Sequence, residues 1–148
     1  MTIHFASDHA GFEMKNSLVT FVKEELGFEV IDHGASEYNE EDDFTDFVVP
    51  AVKSTVGNND RAIILGGSGQ GEAMAANRIR GVRAAVYYGG NEEIITLSRE
   101  HNDANVLSLG ARFLTIDEAK KAVRLWLQTS FSMDERHVRR IGKLDDNF

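Results

Sequence analysis

The chain has no cysteine, a single proline and no long apolar run among its 148 residues. Without cysteine it can form no disulfide, thiolate metal site or cysteine nucleophile, and this composition fits a reducing compartment, so we expect a cytoplasmic protein. A membrane-spanning helix needs about 20 consecutive apolar residues, and no stretch approaches that length. No charged segment followed by a long apolar one opens the chain, so we also expect no signal peptide.

Basic residues are in the minority, with 16 lysines and arginines against 24 aspartates and glutamates and a formal net charge of -8. Nucleic acid binds to basic surfaces, so it is not expected as a partner. One basic cluster interrupts the acidic composition, in the segment "ERHVRRIGK" near the C-terminus. A local basic patch on an acidic protein favours a small anion over a polyanion.

Two hydrophobic periodicities alternate along the chain and predict its fold. Short apolar runs predict strands over residues 2–6, 28–34, 61–66, 82–88 and 105–110. Helical spacing predicts helices over residues 12–26, 72–78, 92–100 and 116–127. It also predicts a helix that ends at about residue 53, and Pro50 leaves the start of that helix open. The alternation predicts one α/β domain over residues 1–148, a three-layer α/β/α, Rossmann-like fold with a five-stranded parallel sheet. In such sheets, ligands bind at the carboxyl ends of the strands.

A glycine-rich loop, "GGSGQGE" at residues 66–72, follows the third predicted strand. It does not end in the Gly-Lys-Ser/Thr of a phosphate-binding P-loop, and it lacks both the third glycine of a dinucleotide-binding loop and the spacing of a nucleophile elbow. Small residues before a helix allow backbone N–H groups to approach an anion closely. The loop therefore predicts a site for a phosphate or an oxyanion, with Gly67, Gly69 and Gly71 as binding positions.

Glu72 closes this loop and has two interpretations. An acidic residue in the first turn of a helix is favoured by the helix dipole, so Glu72 could simply start the helix. Alternatively, it is a general base beside an oxyanion-binding loop, the pairing that proton abstraction next to a carbonyl requires. The spacing alone does not decide between them.

Five separated segments carry a resemblance that covers nearly the whole chain: "ASDHAGFEMK" (6–15), "DHGA" (32–35), "GGSGQGEAMAANRIRGVRAA" (66–85), "REHNDANVLSLGAR" (99–112) and "RHVRRI" (136–141). In this order they resemble the type B ribose-5-phosphate isomerase family, which includes the galactose-6-phosphate isomerase subunits. The resemblance implies an α/β/α fold, a homodimer or larger assembly with shared active sites, and interconversion of aldose and ketose phosphates through an enediolate. It implies no metal and no cofactor.

The resemblance also interprets the glycine loop. Many members of the family use a cysteine on this loop as the base, and Gly66 stands at that position here. A branch of the family carries a loop like GGSGxGE, in which the glutamate is the base, and this chain is similar to that branch. Glu72 is therefore predicted to be the catalytic base.

Three further residues at the predicted carboxyl ends of strands gain roles from the resemblance. Asp8 is expected to contact the sugar oxygens and His9 to lie toward the phosphate, although Asp8 alone would be interpreted as a helix cap. Ser68 is expected to donate its hydroxyl to the substrate carbonyl, where an isolated serine would be interpreted as a turn residue.

The second half of the chain supplies the other expected site residues. The resemblance implies that His101 opens the furanose ring of the substrate, a proton exchange for which histidine is suited near neutral pH. It implies that Asn102 binds the substrate. Arg112, Arg136 and Arg140 are expected to bind phosphate through their guanidinium groups, although charged residues near a chain end are usually just solvated. The basic tail, about residues 131–148, is expected to reach a neighbouring subunit.

The acidic run at residues 37–46 lacks the glycine of an EF-hand loop and is interpreted as solvated, with Asp42 or Asp43 left as possible neighbours of the sugar. Within it, Phe44-Thr45 stands where Tyr-Pro is frequent in the family, which leaves the substrate preference open. We expect the isomerisation of D-ribose 5-phosphate and D-ribulose 5-phosphate. The alternatives are a six-carbon sugar phosphate such as galactose 6-phosphate or allose 6-phosphate, a phosphate- or nucleotide-sensing module, and a non-catalytic partner subunit.

Overall fold

The structure is a computed structural model that describes residues 1–146, so the last two residues of the predicted tail lie outside the described part of the chain. The strands are β1 (Thr2–Ser7), β2 (Glu29–Asp32), β3 (Arg61–Gly66), β4 (Ala84–Tyr87) and β5 (Val106–Gly110). The helices are α1 (Phe12–Thr20), α2 (Phe44–Lys53), α3 (Gln70–Ala76), α4 (Glu93–Glu100), α5 (Ile116–Gln128) and α6 (Glu135–Gly142). No helix within residues 1–146 is long and apolar enough to cross a membrane.

All neighbouring strands pair in parallel, in the order β2-β1-β3-β5-β4. The predicted fold class is confirmed. From β1 the chain first moves outward to β2, then returns to add β3 on the opposite side of β1. The carboxyl ends of β1 and β3 therefore flank a topological switch point, the place in such sheets where a crevice for a ligand opens.

The central strands β1, β3 and β5 are buried on both faces, and their side chains alternate between two cores. Ile63 and Leu65 of β3 point into a core with α1, α4 and α5, whereas Ala62 and Ile64 point into a second core with α2 and α3. Central strands buried on both sides explain why the strand segments are almost continuously apolar in the sequence.

Most element boundaries differ from the prediction by one or a few residues, and the first and third helices differ in ways that matter for the site. The helix predicted over residues 12–26 is α1 followed by a π-helical turn, Phe21–Glu25. The third helix begins at Gln70, two residues earlier than predicted, because Gly69 adopts φ +77° and ends the loop as the residue before the helix. Glu72 is therefore the third residue of α3, still inside its first turn.

Candidate active site

The carboxyl edge of the sheet brings together most of the residues predicted for the site. Asp8 and His9 follow β1, the glycine loop follows β3, and Arg112 follows β5. Residues from different parts of the chain meet here because the carboxyl ends of parallel strands share one edge.

The glycine loop is held rigidly by the end of β5. The buried hydroxyl of Ser108 donates a hydrogen bond to the Gly69 carbonyl oxygen at 2.6 Å. Gly110 approaches so closely that a Cβ there would lie 2.7 Å from the carbonyl oxygen of Ser68. A side chain at either glycine would push the loop away from the sheet, so the glycines set the position of the backbone amides.

Ser68 has the turn geometry that an isolated serine predicts, since its Oγ accepts a hydrogen bond from the backbone N–H of Gln70 at 3.3 Å. A hydroxyl that accepts one hydrogen bond can still donate its own proton. The side chain is half-buried at the edge of the sheet. The turn role and the predicted role as a donor to a carbonyl are therefore compatible.

Glu72 turns its carboxylate inward, with only 4% of the residue exposed. Burial raises the pKa of this carboxyl above its ordinary value, and the nearby charge of Asp8 raises it further, while the backbone N–H of Glu72 acts in the opposite direction. Desolvation of the charged form outweighs the stabilisation by the helix start. The result is a stronger base than an exposed glutamate.

The Glu72 carboxylate occupies the space above Gly66. A Cβ added at Gly66 would lie 1.9 Å from Oε1 and 2.1 Å from Cδ of Glu72. No residue with a side chain at position 66 can coexist with Glu72 in this conformation. The two positions share one volume at the end of β3.

Asp8 lies beside this carboxylate and also caps the turn that follows β1. Its side chain accepts a hydrogen bond from the backbone N–H of Ala10 at 3.0 Å, so the capping interpretation is correct. Asp8 is 9% exposed and close enough to raise the pKa of Glu72. Capping fixes one side of the carboxylate and leaves the other available to a ligand.

His9 is paired with Asp42, a residue that the sequence analysis left undecided. Asp42 Oδ1 accepts hydrogen bonds from His9 Nδ1 at 2.7 Å and from the His9 backbone N–H at 3.1 Å. The hydrogen bond to Asp42 raises the pKa of His9 above its ordinary value, with a smaller contribution from Asp8, while desolvation and the charge of Arg112 oppose the rise. Asp43, the other candidate, is exposed.

Asp8, His9 and Asp42 each offer a ligand atom within 4.8 Å of the others, a spacing that could hold a metal ion. As placed, His9 Nδ1 and Asp42 Oδ1 form a hydrogen-bonded pair, and Asp8 Oδ2 lies 4.0 Å from the same nitrogen of His9.

Arg112 extends over the glycine loop. Its backbone N–H donates to the Gly67 carbonyl oxygen at 3.1 Å, and one guanidinium nitrogen lies 3.2 Å from the position of a Cβ at Gly67. The absence of a side chain at Gly67 lets the guanidinium lie against the loop. A cation therefore lies directly against the glycine loop.

Phe44 covers the other side of the loop. The tip of its ring lies 3.2 Å from the position of a Cβ at Gly71. A tyrosine at this position would add a hydroxyl at the edge of the ring nearest the loop. With phenylalanine, this side of the loop carries no hydroxyl.

The remaining predicted residues lie at the opposite, amino edge of the sheet. His101 ends α4, and the carbonyl oxygen of Asn102 accepts a hydrogen bond from Arg83 Nε at 3.0 Å, just before β4 begins. Helix α6 packs here too, since the rings of His101 and His137 are 4.3 Å apart between centroids. Its residues Arg136 and Arg140 are exposed.

The candidate site is thus divided within one chain. Glu72 follows the end of β3, whereas His101 and Asn102 precede the start of β5. Strands rise about 3.3 Å per residue, so a five-residue strand separates the two edges by roughly 15 Å. The structure does not bring His101, Asn102, Arg136 or Arg140 together with Glu72 in a single chain.

A parallel α/β sheet with a buried carboxylate beside a glycine-rich loop at its switch point suits an enzyme that moves protons on a small substrate. The sequence matches the family described as Ribose/Galactose Isomerase over residues 3–144. The chain belongs to this family, which confirms the resemblance seen in the sequence.

Individual relatives agree with this assignment. The ribose-5-phosphate isomerase B of Mycolicibacterium paratuberculosis is 40% identical over 145 residues, which cover 97% of this chain and 89% of that protein. The ribose-5-phosphate isomerase B of Mycoplasma genitalium, solved with bound ribulose-5-phosphate, matches with a TM-score of 0.91 and 36% identity over 99% of this chain and 95% of that one. The corresponding structure from Clostridium thermocellum gives a TM-score of 0.90 and 41% identity over 99% and 97% of the two chains.

Proposed function

We propose that the chain is an aldose–ketose isomerase that interconverts D-ribose 5-phosphate and D-ribulose 5-phosphate, with Glu72 as the catalytic base. Relatives named ribose-5-phosphate isomerase B, one of them solved with ribulose-5-phosphate, support the substrate. The observation that carries the role of Glu72 is its buried carboxylate, with a raised pKa, beside a glycine loop at the switch point.

The chemistry follows from that position. Glu72 removes the proton on C2 of the open-chain aldose and returns it to C1 of the enediolate. The negative charge moves onto the carbonyl oxygen, where Ser68 and the N–H groups of the glycine loop stabilise it. Asp8, beside Glu72, exchanges the hydroxyl proton between O1 and O2.

The space shared by Gly66 and Glu72 supports the glutamate-base branch. In the cysteine-dependent members that the sequence resembles, the base extends from the position of Gly66. Here the Glu72 carboxylate occupies the place where the Cβ of a side chain at position 66 would lie. The reacting group would thus stand at the same place in both branches, supplied by a different residue.

The phosphate would be held by cations from both edges of the sheet. Arg112 and His9 lie at the carboxyl edge with the base, whereas Arg136 and Arg140 lie at the amino edge. A second copy of the chain, related by two-fold symmetry, would bring its amino edge to the carboxyl edge of the first. We therefore propose a homodimer in which each site takes His101, Asn102 and the arginines of α6 from the partner.

The first experiment tests the base. Wild-type protein is incubated with ribose 5-phosphate in heavy water with a chelator, and ketose formation and carbon-bound deuterium are measured. Glu72→Gln should lower kcat by ~10²–10⁴-fold, the usual contribution of a general base, and abolish deuterium uptake. Glu93→Gln is the matched control because Glu93 is an exposed first-turn glutamate of α4. Full ketose formation by Glu72→Gln would remove Glu72 from its role, and turnover of only galactose or allose 6-phosphate would assign the hexose alternative.

The second experiment tests the shared site. Glu72→Gln and His101→Asn dimers, each impaired alone, are mixed and allowed to exchange subunits. In a mixed two-fold dimer one of the two sites receives both native residues, so random exchange should restore roughly a quarter of wild-type activity. If Glu72 and His101 acted within one chain, no mixed dimer would contain an intact site, and the mixture would stay as inactive as its parents.

A further inference from the structure

The loop between β2 and α2 carries an acidic residue that differs from its neighbours. Glu37, Glu40, Glu41 and Asp43 are exposed, whereas the side chain of Asp42 is only 8% exposed. Asn39 shapes the loop here, since its carbonyl oxygen accepts from Asp42 N–H at 3.2 Å and its side chain accepts from Glu41 N–H at 3.0 Å. The backbone turn thus directs Asp42, alone of these acids, toward β1.

Asp42 binds His9 at two points with one oxygen, Nδ1 at 2.7 Å and the backbone N–H at 3.1 Å. A carboxylate only accepts hydrogen bonds, so Nδ1 of His9 must carry a proton. The two contacts together fix the side-chain torsions and the ring orientation of His9. Its other nitrogen, Nε2, is then on the side of the ring away from Asp42, and the residues of 1–146 provide it with no hydrogen-bond partner.

The second oxygen of Asp42, Oδ2, is buried and has no hydrogen-bond partner among the described residues. A buried carboxylate oxygen without a partner is costly, and in native proteins such a group calls for a specific reason. The reason we find is the pairing with His9.

We propose that Asp42 is a positioning residue that orients the imidazole of His9 as a donor to the substrate phosphate. This inference rests on the proposed function, because it assigns His9 to the phosphate of that substrate. The groups that face His9 are Asp8 at 4.0 Å, Asp42, the guanidinium of Arg112 and the edge of the Tyr38 ring at 6.2 Å between centroids. The hydrogen bond to Asp42 raises the pKa of His9 and outweighs the opposing effects of desolvation and of Arg112.

The direction in which KM changes distinguishes the positioning of His9 by Asp42 from a general effect of negative charge near the site. Loss of any negative charge near the site reduces repulsion of the substrate dianion and should lower KM slightly. Loss of the positioning contact should raise it. We expect Asp42→Asn to raise KM for ribose 5-phosphate roughly tenfold, as for a lost charge-assisted hydrogen bond, with kcat changed less than about threefold. Glu41→Gln, the same charge change at an exposed position of the same loop, should leave KM equal or lower.

A variant cycle separates this role from damage to the fold. In a His9→Gln background, Asp42→Asn should have no further effect on KM, because the residue that it positions is already absent. Additive effects in the double variant, an unchanged KM in Asp42→Asn, or an equal rise in Glu41→Gln would each overturn the proposal.

A binding measurement keeps the result independent of catalysis. The imidazole resonances of His9 are followed by NMR as inorganic phosphate is added to the intact protein. Wild-type His9 should shift on phosphate binding and titrate at higher pH than in Asp42→Asn, where the shift should be lost. If the wild type makes no ketose but His9 behaves in this way, the isomerase assignment fails and the positioning role stands. If His9 is indifferent to phosphate in an active enzyme, only the positioning role fails.

Discussion

A single glycine determines whether Glu72 can occupy its position. The Glu72 carboxylate lies where a Cβ of residue 66 would be, 1.9 Å from its Oε1. Gly66 is not needed for its backbone conformation, since it is absent from the glycines with positive φ. It is needed for the volume that it leaves empty.

We predict that Gly66→Ala lowers kcat strongly while the protein still folds. The methyl group must displace the Glu72 carboxylate from its buried position, and the base is then misplaced by more than 1 Å, a displacement that can cost roughly 100-fold in rate. The measurements are kcat with ribose 5-phosphate and thermal unfolding.

The double variant Gly66→Ala, Glu72→Gln checks the cause. If the alanine acts only by moving the carboxylate, it should add almost nothing to the loss already caused by Glu72→Gln. A further large loss in the double variant would show that Gly66 has a separate role, for example in placing the loop amides.

For single residues, the sequence predicted the position of those that belong to a motif with defined spacing. It did not distinguish residues within a run of similar side chains, such as the acidic run at residues 37–46. Glu72 and Asp8 were predicted from the segments that contain them, and both are buried at the carboxyl edge, where the charge of Asp8 raises the pKa of Glu72. Asp42 could not be separated from the acids around it, because burial of one carboxylate in a run depends on the turn at Asn39. His137, which lies between two arginines of the basic segment, is buried against His101.

Among the secondary-structure elements, the glycine loop depends on β5 more than on its own helix. Helix α3 has seven residues and no side-chain cap at its start, so it cannot fix the loop alone. The buried hydroxyl of Ser108 does so from the neighbouring strand, through its 2.6 Å hydrogen bond to Gly69.

We predict that Ser108→Ala lowers kcat by about tenfold and destabilises the fold by about 1 kcal/mol, the usual net value of such a hydrogen bond. The loss of kcat follows because loop amides that shift during the reaction stabilise the enediolate less well. Denaturant unfolding and steady-state kinetics measure the two effects.

Thr55→Val is the matched control. Thr55 is equally buried, and its hydroxyl donates to the Val52 carbonyl oxygen at 2.8 Å at the end of α2, away from the loop. It should cost similar stability and leave kcat unchanged. If both variants reduced kcat alike, the effect would be one of global stability, and the role of Ser108 in holding the loop would be refuted.

The elements themselves were largely predictable, and the exceptions have local causes. Alternating strand and helix periods gave the order and the parallel sheet because the central strands are buried on both faces. The segment of residues 12–26 keeps helical spacing throughout, so nothing in it marked the change to a π-helical turn at Phe21. The strand predicted over residues 28–34 is shorter, Glu29–Asp32, although the backbone of residues 33–35 continues to hydrogen-bond to β1.

For the whole molecule, the position of His101 and Asn102 at the edge opposite Glu72 is the main feature that the motifs did not predict. The resemblance implied shared sites and assigned only the basic tail to a neighbouring subunit, while it grouped His101 with Glu72 as members of one site. The predicted topology already contained the separation, since a residue between a helix and the next strand lies at the amino edge of a parallel sheet. An assignment of each motif to an edge of the sheet would have placed His101 and Asn102 with the tail rather than with Glu72.

The stability of the whole molecule should depend on pH through histidines whose pKa values are shifted in opposite directions by folding. Burial lowers the pKa of His33, with help from the neighbouring charge of His4, and burial also lowers that of His137. Since the unfolded chain then takes up protons more readily, stability should fall as the pH drops below about 6.5, the ordinary value for histidine, and level off below the lowered pKa values. His9 has a raised pKa, so its contribution is complete below about 6.5 and is lost as the pH rises through the raised value.

Denaturant unfolding of the wild type and two variants between about pH 5 and 8 tests these signs. His33→Gln should flatten the loss of stability on acidification, and His9→Gln should remove stability at the acid end and so steepen that loss. Glutamine at position 33 can still form a hydrogen bond to His4 Nδ1, which now lies 2.9 Å from His33. Parallel curves for all three proteins would contradict the assignment of these histidines.

A chain that carries the two halves of a catalytic centre at opposite ends of its sheet cannot close that centre on itself. Under the proposed arrangement, an isolated subunit is fully folded and yet inert, and turnover appears only as subunits meet. Specific activity should then decline on dilution and recover on concentration, so that the amount of protein present becomes a control on flux without any effector. A defect in one half could also be masked in a cell by a second allele that is defective in the other half.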